Sequence, residues 1–129
     1  MLAHRPTDAR PAVRQRFVAA GVSAPQVDAV LRDAGDGLYA AAVSGRPGWE
    51  RGFGGAPAAA LLAAEVSALT AHLNSRASAV RGAAVGSMLD EFSAIAVAAH
   101  LGVSRQKVYD IARGGPLGQF LPNAPWRQP

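Results

Sequence analysis

The chain has 129 residues, half of them hydrophobic, and carries a formal net charge of +4 with no cysteine. Without cysteine there is neither a disulfide nor a cysteine-ligated zinc site, no apolar run approaches the ~20 residues that span a bilayer, and the first residues lack the pattern of a secretory signal. We therefore expect a soluble, cytoplasmic protein without membrane contact, built as one compact domain or two small helical ones.

The basic charge is concentrated at the two ends of the chain. Residues 1–20 carry a net charge of +3, residues 21–75 carry −2 and residues 76–129 carry +3. A polyanion is expected to prefer the two basic ends, because neutralising phosphates releases condensed counterions. The abundance of alanine, glycine and arginine indicates a GC-rich bacterial or phage genome.

Residues 1–44 carry the signals of three short helices. Pro11 stands at the start of the first and Gly21 follows its end, while Ser23 is placed to cap the second. The apolar face of the second helix would be formed by Val27, Val30 and Leu31. We predict a small N-terminal helical bundle; alternatively, its arginine-bearing first segment is a flexible arm that reaches DNA.

Residues 45–57 are rich in glycine and proline and are expected to form a linker or an exposed loop. Trp49 and Phe53 lie there between glycines and arginines, an arrangement in which aromatic rings can stack on bases or clamp a partner. Such rings more often fasten a loop to the nearest apolar surface, and this is the interpretation we favour.

A long helix is predicted over residues 58–75, where four apolar residues recur at steps of four, three and four: Leu62, Val66, Leu69 and Leu73. This stripe would form the seam of a homodimer or pack against the core of its own domain, and the spacing supports both equally. Asn74 and Ser75 are candidates to interrupt the helix.

A further helix is expected from residue 76 to about residue 89, as the first helix of a C-terminal domain over residues 76–113. Its inward residues would be Val80, Ala84, Val85 and Met88. Gly82 and Gly86 each cost up to ~1 kcal/mol relative to alanine in a helix. Close contact with a neighbouring helix would compensate for that cost.

The most specific pattern in the chain lies at residues 93–113. Ser93 and Ser104 stand where N-cap hydroxyls would begin two short helices, and Gly102 supplies the left-handed residue that a sharp turn between them requires. Ala98 is small enough for the helices to cross closely, and apolar residues at helical spacing complete a miniature core. The predicted structural core consists of Val97, Ala98, Leu101, Gly102, Val103, Val108 and Ile111.

The stretch from Val97 to Ala112 resembles the helix-turn-helix of bacterial and phage transcription regulators of the repressor and sigma-factor-region-four type, and the likeness covers residues 76–113. In those families the second helix lies in the major groove of DNA. The resemblance implies three base-reading residues and three phosphate contacts: Arg105, Gln106 and Tyr109 for the bases, and Ser104, Lys107 and Arg113 for the phosphates.

Asp110 is the odd member of this candidate DNA-binding set, because phosphate repels a carboxylate. It would either accept a hydrogen bond from a cytosine amino group or pair with Arg113 or Lys107 to orient them. We favour the pairing.

Residues 114–129 contain too much proline for regular structure, so an irregular tail is predicted. Its apolar side chains are expected to dock on a helical face of this chain or of another copy. They are Phe120, Leu121 and Trp126.

No catalytic or metal-binding pattern accompanies these features. His4, His72 and His100 are scattered, and no serine or threonine has an identifiable base beside it. The sequence therefore predicts an all-α, non-enzymatic protein without metal or cofactor. It would be a sequence-specific double-stranded DNA-binding transcriptional regulator of repressor type. A homodimer would supply its second reading element, and the competing solution is a monomer that uses the N-terminal arm or the bundle over residues 11–44. The alternative is an adaptor that uses the same fold to bind a protein such as polymerase or a toxin partner.

Overall fold

The computed structural model describes residues 1–115 and 117–123 of the chain. Within these ranges it contains six α-helices, two short 3-10 helices and no strand, so the predicted all-α class is confirmed. The helices are α1 (Arg10–Ala19), α2 (Ala24–Arg32), α3 (Asp36–Val43), α4 (Ala56–Glu91), α5 (Ala94–Leu101) and α6 (Arg105–Ala112), and the 3-10 helices are Trp49–Phe53 and Leu117–Gln119.

The chain divides into two compact units. The N-terminal unit comprises Met1–His72 together with residues 121–123, and the C-terminal unit comprises Leu73–Phe120. The helical bundle, the loop and the first half of the long helix, which the sequence suggested as separate regions, therefore belong to one unit. The second unit begins three residues before the position expected for the C-terminal domain.

The N-terminal unit is built around short helices whose ends carry the expected signals. The Ser23 side chain accepts a hydrogen bond from the Gln26 backbone amide, and the Gln26 side chain accepts one from the Ser23 amide, which forms a reciprocal capping box at the start of α2. The three residues predicted to face inward from this helix, Val27, Val30 and Leu31, are buried. Val13 and Phe17 of α1 are buried as well.

Helix α4 is one continuous element of 36 residues, so the predicted interruption at Asn74 and Ser75 is wrong. Both side chains are solvent-exposed. Polar residues at exposed positions cost only a few tenths of a kcal/mol of helix propensity, which is too little to end a helix held by its neighbours on both sides. Val80 was expected to face inward, but it is 55% exposed.

By length and composition alone, α4 could cross a membrane, since it contains an 18-residue window with a mean hydropathy of 1.3. The expectation that no segment approaches spanning length therefore does not hold for this helix. The core helix of a soluble protein passes the same test, and α4 places Leu62, Glu65 and Leu69 in the interior of the chain.

The apolar stripe on α4 is used within its own chain. Leu62 is 1% exposed and Leu69 is 2% exposed, while Val66 and Leu73 are half-buried. Side chains that are already removed from solvent in a single chain offer no area to a second copy. Leu62 and Leu69 therefore belong to the core of their own unit.

The first residues of the chain are part of the core, which corrects the alternative of a flexible N-terminal arm. Leu2 and His4 are buried. Nε2 of His4 lies 2.6 Å from Oε2 of Glu65, and Arg5 donates to both carboxylate oxygens of Glu65 at 2.8 and 3.1 Å. These contacts fasten the N-terminus to α4 across some sixty residues of sequence.

Burial alone would raise the pKa of the Glu65 carboxyl, but the hydrogen bonds from His4 and Arg5 and the charge of Arg5 outweigh burial and lower this pKa to about 2. A buried carboxylate is stable only with such partners. The sequence does hold a signal for this cluster. Glu65 lies at helical spacing between Leu62 and Leu69, so an acid on an apolar face required a partner.

The segment over residues 45–57 is more ordered than a linker. Trp49–Phe53 forms a 3-10 helix between two left-handed glycines, Gly48 and Gly54, and α4 already begins at Ala56. Trp49 and Phe53 are half-buried, and this 3-10 helix packs against α3. The favoured interpretation, that the aromatic rings fasten the segment to an apolar surface, agrees with this packing.

Candidate nucleic-acid interface

Helices α5 and α6 are joined by a short turn whose local chemistry follows the sequence signals. Oγ of Ser93 accepts from the Ala96 amide at 3.1 Å and begins α5, and Oγ of Ser104 accepts from the Lys107 amide at 3.1 Å and begins α6. Gly102 has a φ of +68°, a left-handed conformation that glycine adopts at little cost. The chain can therefore leave α5 and re-enter a helix within three residues.

A small apolar core holds α5, α6 and the second half of α4 together. Its buried members are Val85, Val97, Ala98, Val108 and Ile111, and its partly buried members are Met88, Leu89, Val103 and Ala112. Six of the seven predicted core residues occupy their expected places in this core or in its turn. Leu101 is the exception, at 38% exposed. It is the last residue of α5, and the turn at Gly102 brings Val103 to the core in its place.

Gly82 allows a close contact between α4 and the end of α6. A Cβ atom on Gly82 would lie 2.7 Å from the carbonyl oxygen of Ile111 and 3.0 Å from Cα of Gly114, closer than real Cβ atoms approach such atoms. The close neighbour expected of this glycine is therefore present. Gly86 has no such neighbour within 4 Å.

The outer face of α6 is polar and accessible. Val108 and Ile111 hold the helix on the core, while every residue of the candidate DNA-binding set is exposed: Ser104, Arg105, Gln106, Lys107, Tyr109, Asp110 and Arg113. The hydroxyl oxygen of Ser104 is occupied by the cap, but its proton can still be donated outward. The residues predicted from the sequence therefore lie on one exposed surface.

Asp110 organises part of this face. Its Oδ1 accepts from Nε2 of Gln106 at 3.2 Å and forms an ion pair with the Arg113 guanidinium. The hydrogen bond from Gln106 and the pairing with Arg113 lower the pKa of the Asp110 carboxyl, so it stays ionised at neutral pH. The predicted pairing of Asp110 with Arg113 is confirmed.

Arg105 and Lys107, unlike Arg113, form no ion pair with an acidic side chain across residues 1–115 and 117–123. Both stand in the first turn of α6, and Tyr109 follows Arg105 one turn later at 46% exposed. The first turn thus carries two positive charges that form no ion pair among the described residues.

The C-terminal unit as a whole has a basic excess, with five arginine and lysine residues against three acids. In the part of the chain that the structure describes, no cluster of three histidine, aspartate or glutamate side chains is arranged to hold a metal ion. His100 is exposed, as expected for its position on α5.

The tail is only partly described. Residues 117–119 form a 3-10 helix, and Phe120 and Leu121 are half-buried. The Leu121 amide donates to Nε2 of His72 at 3.3 Å. Trp126 lies outside the described residues, as does the rest of the predicted irregular tail beyond residue 123.

Comparison of the chain with protein-family models, with curated proteins and with solved structures found no match. The function must therefore be argued from the geometry and charge of the residues themselves.

Proposed function

We propose that this protein is a sequence-specific double-stranded DNA-binding transcriptional regulator of repressor type, in which α5 and α6 form a helix-turn-helix and residues 104–113 enter the major groove. The observation that carries the proposal is the outer face of α6. If α6 served only to bury Val108 and Ile111 in the core, any polar residues would suffice on its solvent-exposed face. Here that face presents arginine, glutamine, lysine and tyrosine together.

The dimensions of α6 support insertion into the groove. An α-helix with its side chains is about 10–12 Å in diameter, and the major groove is about 12 Å wide. Arg105 and Gln106 stand in the first turn, the part of a recognition helix that meets base edges. Arginine and glutamine are also the side chains that bind guanine and adenine in a bidentate manner.

The proposal includes a second copy of the chain. Each good bidentate base contact discriminates by ~1–3 kcal/mol, whereas a specific site needs roughly 4–10 kcal/mol over non-specific DNA. One α6 offers three base-reading candidates, and the buried N-terminus provides no free arm as a second grip. A homodimer would double the contacts, with half-sites about one helical turn apart.

Selection of bound fragments from random duplex DNA tests this function. The proposal predicts an enriched site with two related halves. Its affinity should fall with salt at a slope of about −3 to −4 in log K against log salt, because Lys107 and Arg113 from two chains neutralise about four phosphates. Absence of any enriched duplex, or affinity indifferent to salt, would contradict the proposal.

A second candidate function, the protein-binding adaptor, rests on apolar side chains near the start of α5. Phe92 is 55% exposed and Ile95 is 67% exposed. A cleft of about 320 Å³ lies beside them, lined by Met88, Phe92, Ala96, Val97 and His100. The adaptor hypothesis predicts that Phe92→Glu abolishes function and Arg105→Ala does not. The DNA-binding hypothesis predicts that Arg105→Ala impairs function more than Phe92→Glu does.

A further inference from the structure

A cleft of about 660 Å³ opens in the N-terminal unit between α3, the 3-10 helix Trp49–Phe53 and the first turns of α4. All of its lining residues belong to this unit. The volume falls within the range of small-molecule sites in proteins. None of the residues assigned to DNA binding lies in it.

The floor of the cleft is an alanine-rich face of α4, on which Ala59 also belongs to the buried core. Alanines recur there at helical spacing, at positions 56, 59, 60 and 63, while Leu62, Glu65 and Leu69 lie in the buried core. One-carbon side chains leave room above the helix that longer residues would fill. The turn before α3 approaches α4 closely beside them, because a Cβ atom on Gly35 would lie 3.2 Å from Cγ2 of Val66.

The remaining lining combines apolar residues, Ala34, Leu38 and Ala42, with aromatic and acidic ones. Trp49 and Tyr39 contribute rings, and Asp36 and Glu50 contribute carboxylates. No lysine, arginine or histidine lines the cleft. Among the described residues, neither Asp36 nor Glu50 forms a salt bridge, whereas nearby Asp33 is occupied by the amides of Gly35 and Gly37.

Aromatic rings together with carboxylates favour a positively charged ligand. The faces of tryptophan and tyrosine rings attract cations through the ring quadrupole, and two carboxylates without cationic partners add to the attraction. The same groups repel an anion. The alanine floor offers only apolar contact, so the ligand must carry an apolar body.

We propose that this cleft binds a small apolar cation, such as a quaternary ammonium, phosphonium or protonated amine with aromatic or alkyl substituents. The positive centre lies against Trp49, Tyr39 and the carboxylates of Asp36 and Glu50, and the substituents lie on the alanines of α4. This site goes beyond the proposed DNA-binding function and does not depend on it.

Calorimetric titration of the full chain with tetraphenylphosphonium and tetraphenylborate tests the proposal, because these ions have nearly the same shape and opposite charge. Tetraphenylphosphonium is expected to bind at least tenfold more tightly. Equal or tighter binding of tetraphenylborate, or no measurable binding of the phosphonium, would overturn the proposal.

Three variants locate the binding. Ala60→Leu fills the floor and is expected to weaken tetraphenylphosphonium binding at least tenfold. Ala64→Leu, at an exposed position of α4 that does not line the cleft, should leave it unchanged. Glu50→Gln keeps the shape of the cleft and should lower the affinity for tetraphenylphosphonium at least threefold. This variant tests the site even if Ala60→Leu does not fold. Unchanged binding in Glu50→Gln would refute the assigned role of its charge.

Discussion

Hydrogen-bond partners determine the charge and orientation of several side chains in this protein. Gln106 and Arg113 hydrogen-bond to Asp110 and lower the pKa of its carboxyl, and Asp110 thereby holds Arg113 in place. On a DNA-binding face this carboxylate has two opposite effects. It orients a cation, and it repels the phosphates that the cation would approach.

Asp110→Asn should therefore raise the affinity for non-specific duplex DNA. The change removes a negative charge that repels phosphate, so the affinity should rise most at low salt, where this repulsion is least screened. Electrophoretic or anisotropy titrations at several salt concentrations measure this rise. Asp8→Asn removes the same charge from an exposed position of the N-terminal unit and serves as the control. Weaker or unchanged non-specific binding in Asp110→Asn would show that α6 does not face the phosphates.

Glu65 is expected to make stability depend on pH. The folded-state pKa is about 2 and the ordinary value is 4.5, so its contribution is complete above the ordinary value and is lost as the pH falls through the folded one. Glu65→Gln should lower the free energy of unfolding by about 1–3 kcal/mol at pH 7. Urea denaturation should show this difference shrinking between pH 5 and pH 2. The exposed Glu91→Gln is the control, and a difference for Glu65→Gln that stays constant with pH would contradict the assignment.

Residues whose environment is local could be predicted from the sequence, and residues whose environment is distant could not. The caps by Ser23, Ser93 and Ser104 depend on amides only three residues away. The pairing of His4 with Glu65 joins residues 61 positions apart, and no periodicity connects them. The spacing of Glu65 between two leucines indicated that a partner was needed, but not which residue supplied it.

At the level of elements, backbone contact decides which small residues are required. Gly82 and Gly86 occupy the same helix, one turn apart, and the sequence gives no reason to treat them differently. The structure distinguishes the two glycines, because of the two only Gly82 lies against the end of α6. This contact fixes α6 on α4 in the C-terminal unit.

Gly82→Ala should destabilise the protein by about 1–3 kcal/mol, since a methyl group would meet the Ile111 carbonyl at 2.7 Å and force α6 outward. Gly86→Ala should instead stabilise it by about 0.5–1 kcal/mol, because alanine is the better helix former and nothing obstructs it. Chemical denaturation followed by helical circular dichroism compares the two. Equal effects in both variants would exclude the close contact as the cause.

The length of α4 shows the limit of element prediction. Asn74 and Ser75 are weak helix formers, and they were interpreted as a break between two helices. Weak local preference is overridden when the residues on both sides are anchored, as Leu69 and Ala79 are here. The α5–α6 turn was predictable because glycine in a left-handed conformation is a strong and local signal.

For the whole molecule, Leu62 and Leu69 are already buried within one chain, while the energetic need for a second reading element stays. The proposal therefore predicts two chains on each selected duplex. Sedimentation of the protein–DNA complex gives this stoichiometry, and a palindromic site should accompany it. One chain on an asymmetric site would require a second DNA-contacting surface within the chain.

The most direct measurement of the central claim is the affinity of the Arg105→Ala variant for the selected duplex at fixed salt. If the first turn of α6 reads bases, affinity should fall by ~1–3 kcal/mol and sequence preference should relax at one position. Arg46→Ala removes the same charge from the exposed loop of the N-terminal unit and should bind as the unaltered protein does. Binding by both Arg105→Ala and Tyr109→Ala that equals that of the unaltered protein would contradict the placement of α6 in the major groove.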